Sequence, residues 1–289
     1  MINIKTILTI FLFILFISNG LCQKKERVIY AVTDQNEELF IDVYPGTRGA
    51  SSILFVHGGG FEGGHPDGQR SFAEEMQNRG YNVFVISYRL LMKGRGFGCD
   101  IPTLDKLDAI RAGVEDAAKA TSYLLENKNN FNLDPDQFYL AGSSAGAEVA
   151  LQLVFNPFSH LDSATYVFPD NFRFKGVMSF AGALLDIRLV SPDQWVPLLL
   201  FHGTEDNLVP LGTAPHRYCK ATDPGWMMFF GSQTIFDKAV EMDLPAEFHL
   251  YAGKGHEVAN YMAQEFDIMD TFLKKSKQRN DWKPRLIEY

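Results

Sequence analysis

A serine within a tight glycine-flanked turn is the first chemical signal in this sequence. Residues 139–147 read Tyr-Leu-Ala-Gly-Ser-Ser-Ala-Gly-Ala, an apolar strand pattern that runs through a GxSxG pentapeptide into a helical pattern. Gly142 and Gly146 stand two positions before and after Ser144, because so sharp a turn leaves almost no room for side chains there. The pattern predicts that Ser144 is presented at the turn as a nucleophile.

A serine hydroxyl needs a base to take its proton, and the base needs an acid to orient it. We predict His256 as the base, because it follows the last predicted strand and precedes the last predicted helix. His249 is the alternative, although it lies within that strand. We predict Asp206 as the acid, in the loop after the predicted strand 196–201.

Two other carboxylates are alternatives for the acid. Glu205 adjoins Asp206 and is predicted to face solvent, whereas Asp186 follows the strand before. His202, at the end of the strand before the acid loop, is predicted to be a packed or hydrogen-bonded residue and not a second base. The chain order serine, aspartate, histidine is the order expected for a strand-turn-helix nucleophile of this kind.

A glycine-rich segment supplies the predicted oxyanion site. His-Gly-Gly-Gly-Phe occupies residues 57–61, directly after an apolar strand pattern. Consecutive glycines let a chain turn with its N–H groups aimed at one point. We predict that the N–H groups of Gly59, Gly60 and Ala145 bind the oxyanion. A plain glycine-rich turn or a phosphate loop is the alternative, but no Gly-Lys-Ser/Thr follows the segment.

Alternation of strand and helix patterns predicts the fold class. The helical patterns fall mainly between the later strand patterns, which favours parallel strands with helices on both faces of one sheet. The first two strands are predicted to form an antiparallel entry. Predicted strands are 28–33, 39–44, 52–56, 82–87, 137–141, 176–180, 196–201 and 247–251, and predicted helices are 69–79, 107–126, 145–155, 234–242 and 258–275.

In such sheets, ligands bind beyond the carboxyl ends of the strands, where the predicted chemical residues lie. Three longer excursions, 91–104, 156–175 and 209–231, are predicted to form the rim of the pocket. The tail 281–289 is predicted to be a surface extension.

These motifs together resemble the α/β-hydrolase superfamily. Within it, the chain is similar to the HGGG-containing carboxylesterases and lipases, including the feruloyl and acetyl esterase-like branch. The resemblance implies a Ser-His-Asp triad. The predicted fold is a central, mostly parallel sheet of eight strands with helices on both faces and no large cap domain. Two features differ from many relatives: an N-terminal helical cap is lacking, and Ser143 and Ala147 stand where an acidic residue and a second glycine are common.

The predicted function is a serine carboxylesterase that hydrolyses short-acyl or aromatic esters through an acyl-enzyme, and esters on plant or algal polysaccharides are among the candidate substrates. The substrate is a small-molecule or carbohydrate-linked ester. A serine peptidase of the prolyl-peptidase type and a catalytically silent binding protein are the alternatives. Acyl transfer to an alcohol would use the same residues as hydrolysis, and fold-level analogy separates none of these readings.

The N-terminus predicts export. Residues 1–22 combine Lys5, an apolar run and small residues before a cut at Gln23, as in a signal peptide, and the run is short for a membrane anchor. Residues 23–289 are predicted to form one catalytic domain of a secreted or periplasmic bacterial protein, with no stable membrane insertion. The net charge of −8 disfavours a nucleic-acid partner.

Composition and the remaining motifs yield further predictions. Without Cys22, the two cysteines left are Cys99 and Cys219, a plausible disulfide in an oxidising compartment. No CxxC or HExxH pair suggests a metal, and no cofactor is predicted. An aromatic pocket wall is predicted from Phe61, Phe97 and Trp226, although Trp226 and the apolar residues after it also fit an ordinary core.

Overall fold

The computed structural model describes residues 25–155, 168–169, 172–278 and 281–289, and these ranges contain twelve strands and five α-helices. The strands are β1 (Glu26–Val32), β2 (Glu38–Tyr44), β3 (Ser52–Val56), β4 (Asn82–Ile86), β5 (Phe138–Ser143), β6 (Val177–Phe180), β7 (Ala183–Leu184), β8 (Leu198–Gly203), β9 (Thr213–Pro215), β10 (Met228–Gly231), β11 (Ala246–Tyr251) and β12 (Arg285–Glu288). The helices are α1 (Arg70–Asn78), α2 (Thr103–Glu126), α3 (Ala145–Phe155), α4 (Ser232–Met242) and α5 (Phe266–Gln278).

Nine of the strands form one sheet in the order β1-β2-β4-β3-β5-β6-β8-β11-β12. β1 pairs antiparallel with β2, and β2 pairs antiparallel with β4, whereas the remaining pairs of this sheet are parallel. The α/β class, the mostly parallel sheet and the antiparallel entry are therefore confirmed. The predicted number of eight strands is wrong, because the tail 281–289 contributes β12.

β12 is a strand that the sequence did not predict in the tail. It pairs with β11 from Arg285 opposite Glu247 to Glu288 opposite Leu250. Most of its side chains are exposed, as is common on an edge strand, so the four residues lack the apolar pattern that marks buried strands. β12 forms because the edge of β11 has backbone groups that need hydrogen-bond partners, and the position of that edge is set by the tertiary structure.

The core lies on both faces of the sheet. One apolar cluster joins α2, α3 and α4 to one face, with residues such as Ile110, Val149 and Ile235. The other joins α1 and α5 to the opposite face, through Phe72 and Phe272 among others. The burial of both faces explains the nearly unbroken apolar runs of the central strands.

Strand register brings the carboxyl ends to one edge. Val56 of β3 pairs with Gly142 of β5, and Phe180 of β6 pairs with Phe201 of β8. The loops after these strands therefore emerge side by side, together with the loop that follows β11.

The predicted last helix, 258–275, is divided in the structure. A 3-10 segment, His256–Ala263, comes first, and α5 begins only at Phe266. The tighter segment buries Val258 and Met262 while it keeps His256 at the sheet edge. The 3-10 segment and α5 therefore form two separate elements. The apolar periodicity of the sequence does not show the break between them.

The rim is built from two excursions joined covalently. β7, β10 and β9 form a small antiparallel sheet above the main one. A disulfide joins Cys99 to Cys219, whose Cα atoms are 5.4 Å apart. Gly225 N–H donates to the Cys99 carbonyl at 2.9 Å, so residues 91–104 and 209–231 are held against each other.

The predicted signal peptide, residues 1–22, lies outside the described residues, as does most of the excursion 156–175. In the described part of the chain, no helix combines the length and apolar character needed to cross a bilayer.

The disulfide generates a stability prediction. It closes a separation of 120 residues, so the cross-link restricts the unfolded chain strongly. We expect the Cys99→Ser/Cys219→Ser variant of residues 23–289 to lose about 2 to 5 kcal/mol of unfolding free energy, measured by denaturant titration. Wild-type protein that shows two free thiols when denatured without reductant would contradict the bridge.

Candidate active site

Ser144 lies at a strained turn between β5 and α3. Its φ of 51° is in the left-handed region, which is unfavourable for a residue with a side chain. A Cβ at Gly142 would lie 2.2 Å from the carbonyl oxygen of Gly146, and a Cβ at Gly146 would lie 2.1 Å from that of Val56. The steric argument from the sequence therefore holds in the structure at both glycines.

Three predicted residues meet at this turn. The Oγ atom of Ser144 lies 2.7 Å from Nε2 of His256, and Nδ1 of His256 lies 2.7 Å from Oδ2 of Asp206. With Asp206 ionised, Nδ1–H donates to the carboxylate, and Nε2 is left free to accept the serine proton. The three side chains come from loops after β5, β8 and β11.

Asp206 is buried, and both of its carboxylate oxygens have hydrogen-bond partners. Oδ1 accepts the backbone N–H groups of Leu208 at 2.9 Å and Val209 at 3.0 Å. Oδ2 lies 3.3 Å from Nε2 of His202 as well as near His256. Burial alone would raise the pKa of Asp206, but the hydrogen bonds from His202 and His256 outweigh it and hold that pKa well below its usual range.

His202 is a second imidazole beside Asp206, and the sequence did not predict this contact. It was predicted as a hydrogen-bonded strand-end residue, and its Nδ1 does lie 2.8 Å from the Oγ atom of Ser232. Its contact with Asp206 was not foreseen. The spacing of four residues between His202 and Asp206, one at the end of a strand and one in the next loop, was the available signal.

The alternative base and acids lie elsewhere. His249 uses both ring nitrogens, 2.9 Å from the hydroxyl of Tyr289 and 2.9 Å from Glu247. Asp186 pairs with Arg188 at the surface. Glu205 is exposed. In the described part of the chain, none of His249, Asp186 and Glu205 forms a hydrogen bond or ion pair with the serine turn.

The glycine loop packs directly on the nucleophile. A Cβ at Gly58 would lie 3.1 Å from Cβ of Ser144. Gly59 and Gly60 have φ values of 120° and 62°, which glycine adopts without steric cost. Among the described residues, no acceptor takes the N–H of Gly59, Gly60 or Ala145. The three predicted oxyanion donors are therefore available to a ligand.

A neutral histidine supports the loop from behind. The ring of His57 stacks on Tyr88 with centroids 4.6 Å apart, and the Tyr88 hydroxyl donates to the His57 carbonyl at 3.0 Å. Burial lowers the pKa of His57 to about 4, against which its bond to the Gly58 carbonyl acts only weakly. His57 is therefore uncharged at neutral pH and fixes the start of the glycine loop.

The predicted pocket wall is only partly at the surface. Phe61 and Phe97 are buried and pack on each other, with centroids 4.9 Å apart. Of the three predicted wall residues, Trp226 alone is exposed, at 39%. The two phenylalanines lie behind the glycine loop as part of the core, so a pocket-lining role stays a prediction.

Comparison with known proteins agrees with this geometry. The BD-FAE sequence profile matches residues 41–191, more than half of the chain. The chain belongs to the BD-FAE family of α/β-hydrolase esterases. The glycine loop and Ser144 of this BD-FAE protein fall within the matched region. Asp206 and His256 lie beyond it, so their place at the site comes from the structure.

Two curated relatives match part of this BD-FAE protein. Gut esterase 1 of Caenorhabditis briggsae is 35% identical over 113 residues, and that of Caenorhabditis elegans is 33% identical over 109 residues. Each alignment covers 37% of this chain, but the chain spans only about a fifth of the length of either relative (19% and 18%).

Solved structures share the fold. The native esterase Est2 of Thermogutta terrifontis superimposes with a TM-score of 0.61 at 20% identity, over 88% of this chain and 93% of that one. Its propionate-bound form gives a TM-score of 0.61, over 89% of this chain and 96% of that one.

A buried pair of a glutamate and a histidine near the nucleophile was not predicted from the sequence. Oε1 of Glu148, in the first turn of α3, lies 3.1 Å from Nε2 of His216. The only sequence signal was a glutamate on the inward side of an otherwise apolar helix. Among the described residues, the one cluster of metal-ligand types is Cys99, Cys219 and Asp223, and its two sulfurs are bonded to each other.

His57 generates a pH prediction. Its folded pKa is about 4, whereas the ordinary value is 6.5, so only the unfolded chain binds a proton between these values. The unfolding free energy should therefore fall as the pH falls through that window, by on the order of 3 kcal/mol. Denaturant titrations of wild type and His57→Gln should show a weaker pH dependence in the variant.

The control for the His57 experiment is Leu104→Gln, which changes an exposed side chain (74%) and no titratable group. It should keep the wild-type pH dependence. An identical pH dependence in wild type and His57→Gln would contradict burial of a neutral imidazole at His57.

Proposed function

We propose that this BD-FAE protein is a serine esterase that works through Ser144, His256 and Asp206. The observation that supports it most is the unbroken hydrogen-bond chain from Ser144 through His256 to Asp206, beside a glycine loop with unoccupied N–H groups. A nucleophile, an oriented base and oxyanion donors are the three parts that acyl transfer requires.

In the first half of the reaction, Ser144 Oγ attacks the ester carbonyl while Nε2 of His256 takes its proton. The negative charge that forms on the carbonyl oxygen is bound by the N–H groups of Gly59, Gly60 and Ala145. His256 then returns the proton to the leaving alcohol, and the acyl group stays on Ser144. Asp206 remains ionised throughout and stabilises the imidazolium.

In the second half, water takes the place of the alcohol. His256 removes a proton from the water as it attacks the acyl-enzyme, and the same three N–H groups bind the second oxyanion. Collapse of that intermediate releases the acid and restores Ser144. If an alcohol attacked the acyl-enzyme in place of water, the same residues would catalyse acyl transfer.

The proposed substrates are short-acyl or aromatic esters, including those on plant or algal polysaccharides. The BD-FAE assignment supports this class. So do the propionate- and butyrate-bound forms of the Thermogutta terrifontis esterase, whose fold this chain shares. We also propose that the protein works outside the cytoplasm, which the disulfide supports because disulfides persist in oxidising compartments.

The nucleophile can be tested directly. We expect Ser144→Ala to lower kcat on 4-nitrophenyl acetate by about 10⁴-fold or more, because the variant has no atom to form the acyl-enzyme. The panel should include the 4-nitrophenyl butyrate and octanoate esters, acetylated xylan and methyl ferulate. Release of acetate or ferulate identifies the polysaccharide substrates.

Ser143→Ala is the matched control for Ser144→Ala, because it removes a neighbouring hydroxyl outside the hydrogen-bond chain. It should retain most of the activity. Equal turnover by wild type and Ser144→Ala would overturn the proposal. Serine-dependent cleavage of prolyl peptides with no ester hydrolysis would instead favour the peptidase.

Asp206 has a separate kinetic signature. Asp206→Asn should lower kcat by about 10⁴-fold with little change in KM, because an amide no longer fixes the His256 tautomer. The unfolding free energy that the ionised carboxylate contributes should be present above its ordinary pKa of 3.8 and decline as the pH falls below it. Steady-state kinetics of Asp206→Asn at wild-type levels would exclude Asp206 as the acid.

A further inference from the structure

An arginine with an unusual backbone lies beside the proposed oxyanion site. Arg217 has a φ of 55°, and the next residue, Tyr218, has a φ of 52°. Two successive left-handed residues with side chains are uncommon and need support from their surroundings. The N–H of Arg217 donates at 2.9 Å to the carbonyl of Leu208, two residues after Asp206. This hydrogen bond therefore ties the backbone of Arg217 to the loop that carries Asp206.

The guanidinium reaches the glycine loop. A Cβ at Gly60 would lie 3.6 Å from Nη2 of Arg217. Gly60 is itself one of the three proposed oxyanion donors. The positive group of Arg217 thus lies beside a proposed oxyanion donor, while its backbone is held by the acid loop.

The guanidinium has no anionic partner in the described part of the chain. No described carboxylate lies within 4.0 Å of it, and its Nε is buried without a hydrogen-bond partner. A buried donor without an acceptor costs stability. An unpaired guanidinium beside the proposed oxyanion site is an arrangement that an anionic ligand group would complete.

Nearby charges do not neutralise the arginine. Glu148 faces His216. Glu62 is exposed and also lies beside Gly60, with its Cγ atom 3.9 Å from where a Cβ there would lie, but its Oε2 atom is near Gly96 and it forms no ion pair with Arg217. The buried Lys106 donates to the Gly225 carbonyl at 3.0 Å and adds positive charge. Burial lowers the pKa of Lys106, and so does the charge of Arg217.

The segment that carries Arg217 is held on both sides. The N–H of His216 donates to Met227 across the small sheet at 2.9 Å, and Cys219 is bonded to Cys99. A guanidinium on a fixed backbone loses less conformational entropy on binding than one on a free loop. The rim disulfide thus places the arginine as well as stabilising the fold.

We propose that Arg217 binds a carboxylate of the substrate, so that the preferred esters carry a negative charge a few atoms from the scissile carbonyl. Esters of dicarboxylic acids, and esters on uronic or other carboxylated alcohols, have this chemistry. The proposal rests on the proposed esterase function and narrows its substrate class. The planar guanidinium suits a bidentate carboxylate contact.

Paired substrates test the charge alone. The monoester 4-nitrophenyl adipate is compared with 4-nitrophenyl methyl adipate, and 3-acetoxybenzoate with methyl 3-acetoxybenzoate. In each pair, the ratio of kcat/KM for the anionic ester to that for the neutral ester is measured in wild type, Arg217→Met and Arg217→Lys. Dividing the wild-type ratio by the variant ratio cancels the intrinsic reactivity of the two esters. Reactions with Ser144→Ala correct for spontaneous hydrolysis.

We expect the ratio to fall by about 10- to 100-fold in Arg217→Met for at least one pair, mainly through KM, as for loss of a hydrogen bond to a charged group. Arg217→Lys should keep part of the preference. The matched control is Lys220→Met, which removes an exposed charge three residues away and should keep the wild-type ratio. Thermal unfolding identifies a variant that fails to fold, and Arg217→Lys then serves as the test.

Two results would overturn the proposal while the esterase stands. One is a kcat/KM that stays at the wild-type value for both esters of each pair in both Arg217 variants. The other is an equal loss on anionic and neutral esters, which would place Arg217 in loop geometry or oxyanion binding. Absence of any Ser144-dependent turnover by wild type would instead overturn the proposed function itself, and the substrate proposal with it.

Discussion

The close contact between the serine turn and strand β3 is the constraint on which the site depends. Gly146 lies against the carbonyl of Val56, so α3 can start only where β5 and β3 lie side by side in register. The same contact brings the glycine loop, which follows β3, onto the nucleophile. One steric requirement thus places Ser144 and its oxyanion donors together, and the left-handed backbone of Ser144 is part of its cost.

A buried carboxylate organises the other half of the site. Asp206 receives two backbone N–H groups and two imidazoles, which keeps it ionised although it is almost inaccessible to water. Its charge holds the proton of His256 on Nδ1, which leaves Nε2 free to accept the serine proton. His202 contacts the same Oδ2 atom as His256, so rotation of Asp206 away from His256 would break several bonds at once.

The rim shows how one covalent bond can support both fold and site. The disulfide joins the excursion before α2 to the excursion after β8, and the small sheet β7-β10-β9 lies beside it. Residues 216–219 run between the bond and the acid loop, and they carry both the buried His216 and the guanidinium of Arg217. The strained backbone there is held by contacts on either side, which is how unfavourable dihedrals persist in folded proteins.

Local rules were sufficient for much of the molecule. Apolar strand runs, helix periodicity and the glycines around Ser144 determine the α/β class, most elements and the choice of Ser144, because each rests on sterics or burial within a few residues. The edge strand β12, the division of the last helix and the small rim sheet depend on which neighbours are left unpaired, so only the tertiary structure decided them. The meeting of Ser144, His256 and Asp206, the second imidazole of His202 and the open guanidinium of Arg217 were likewise fixed by strand register, because these residues are distant in sequence and only folding makes them neighbours.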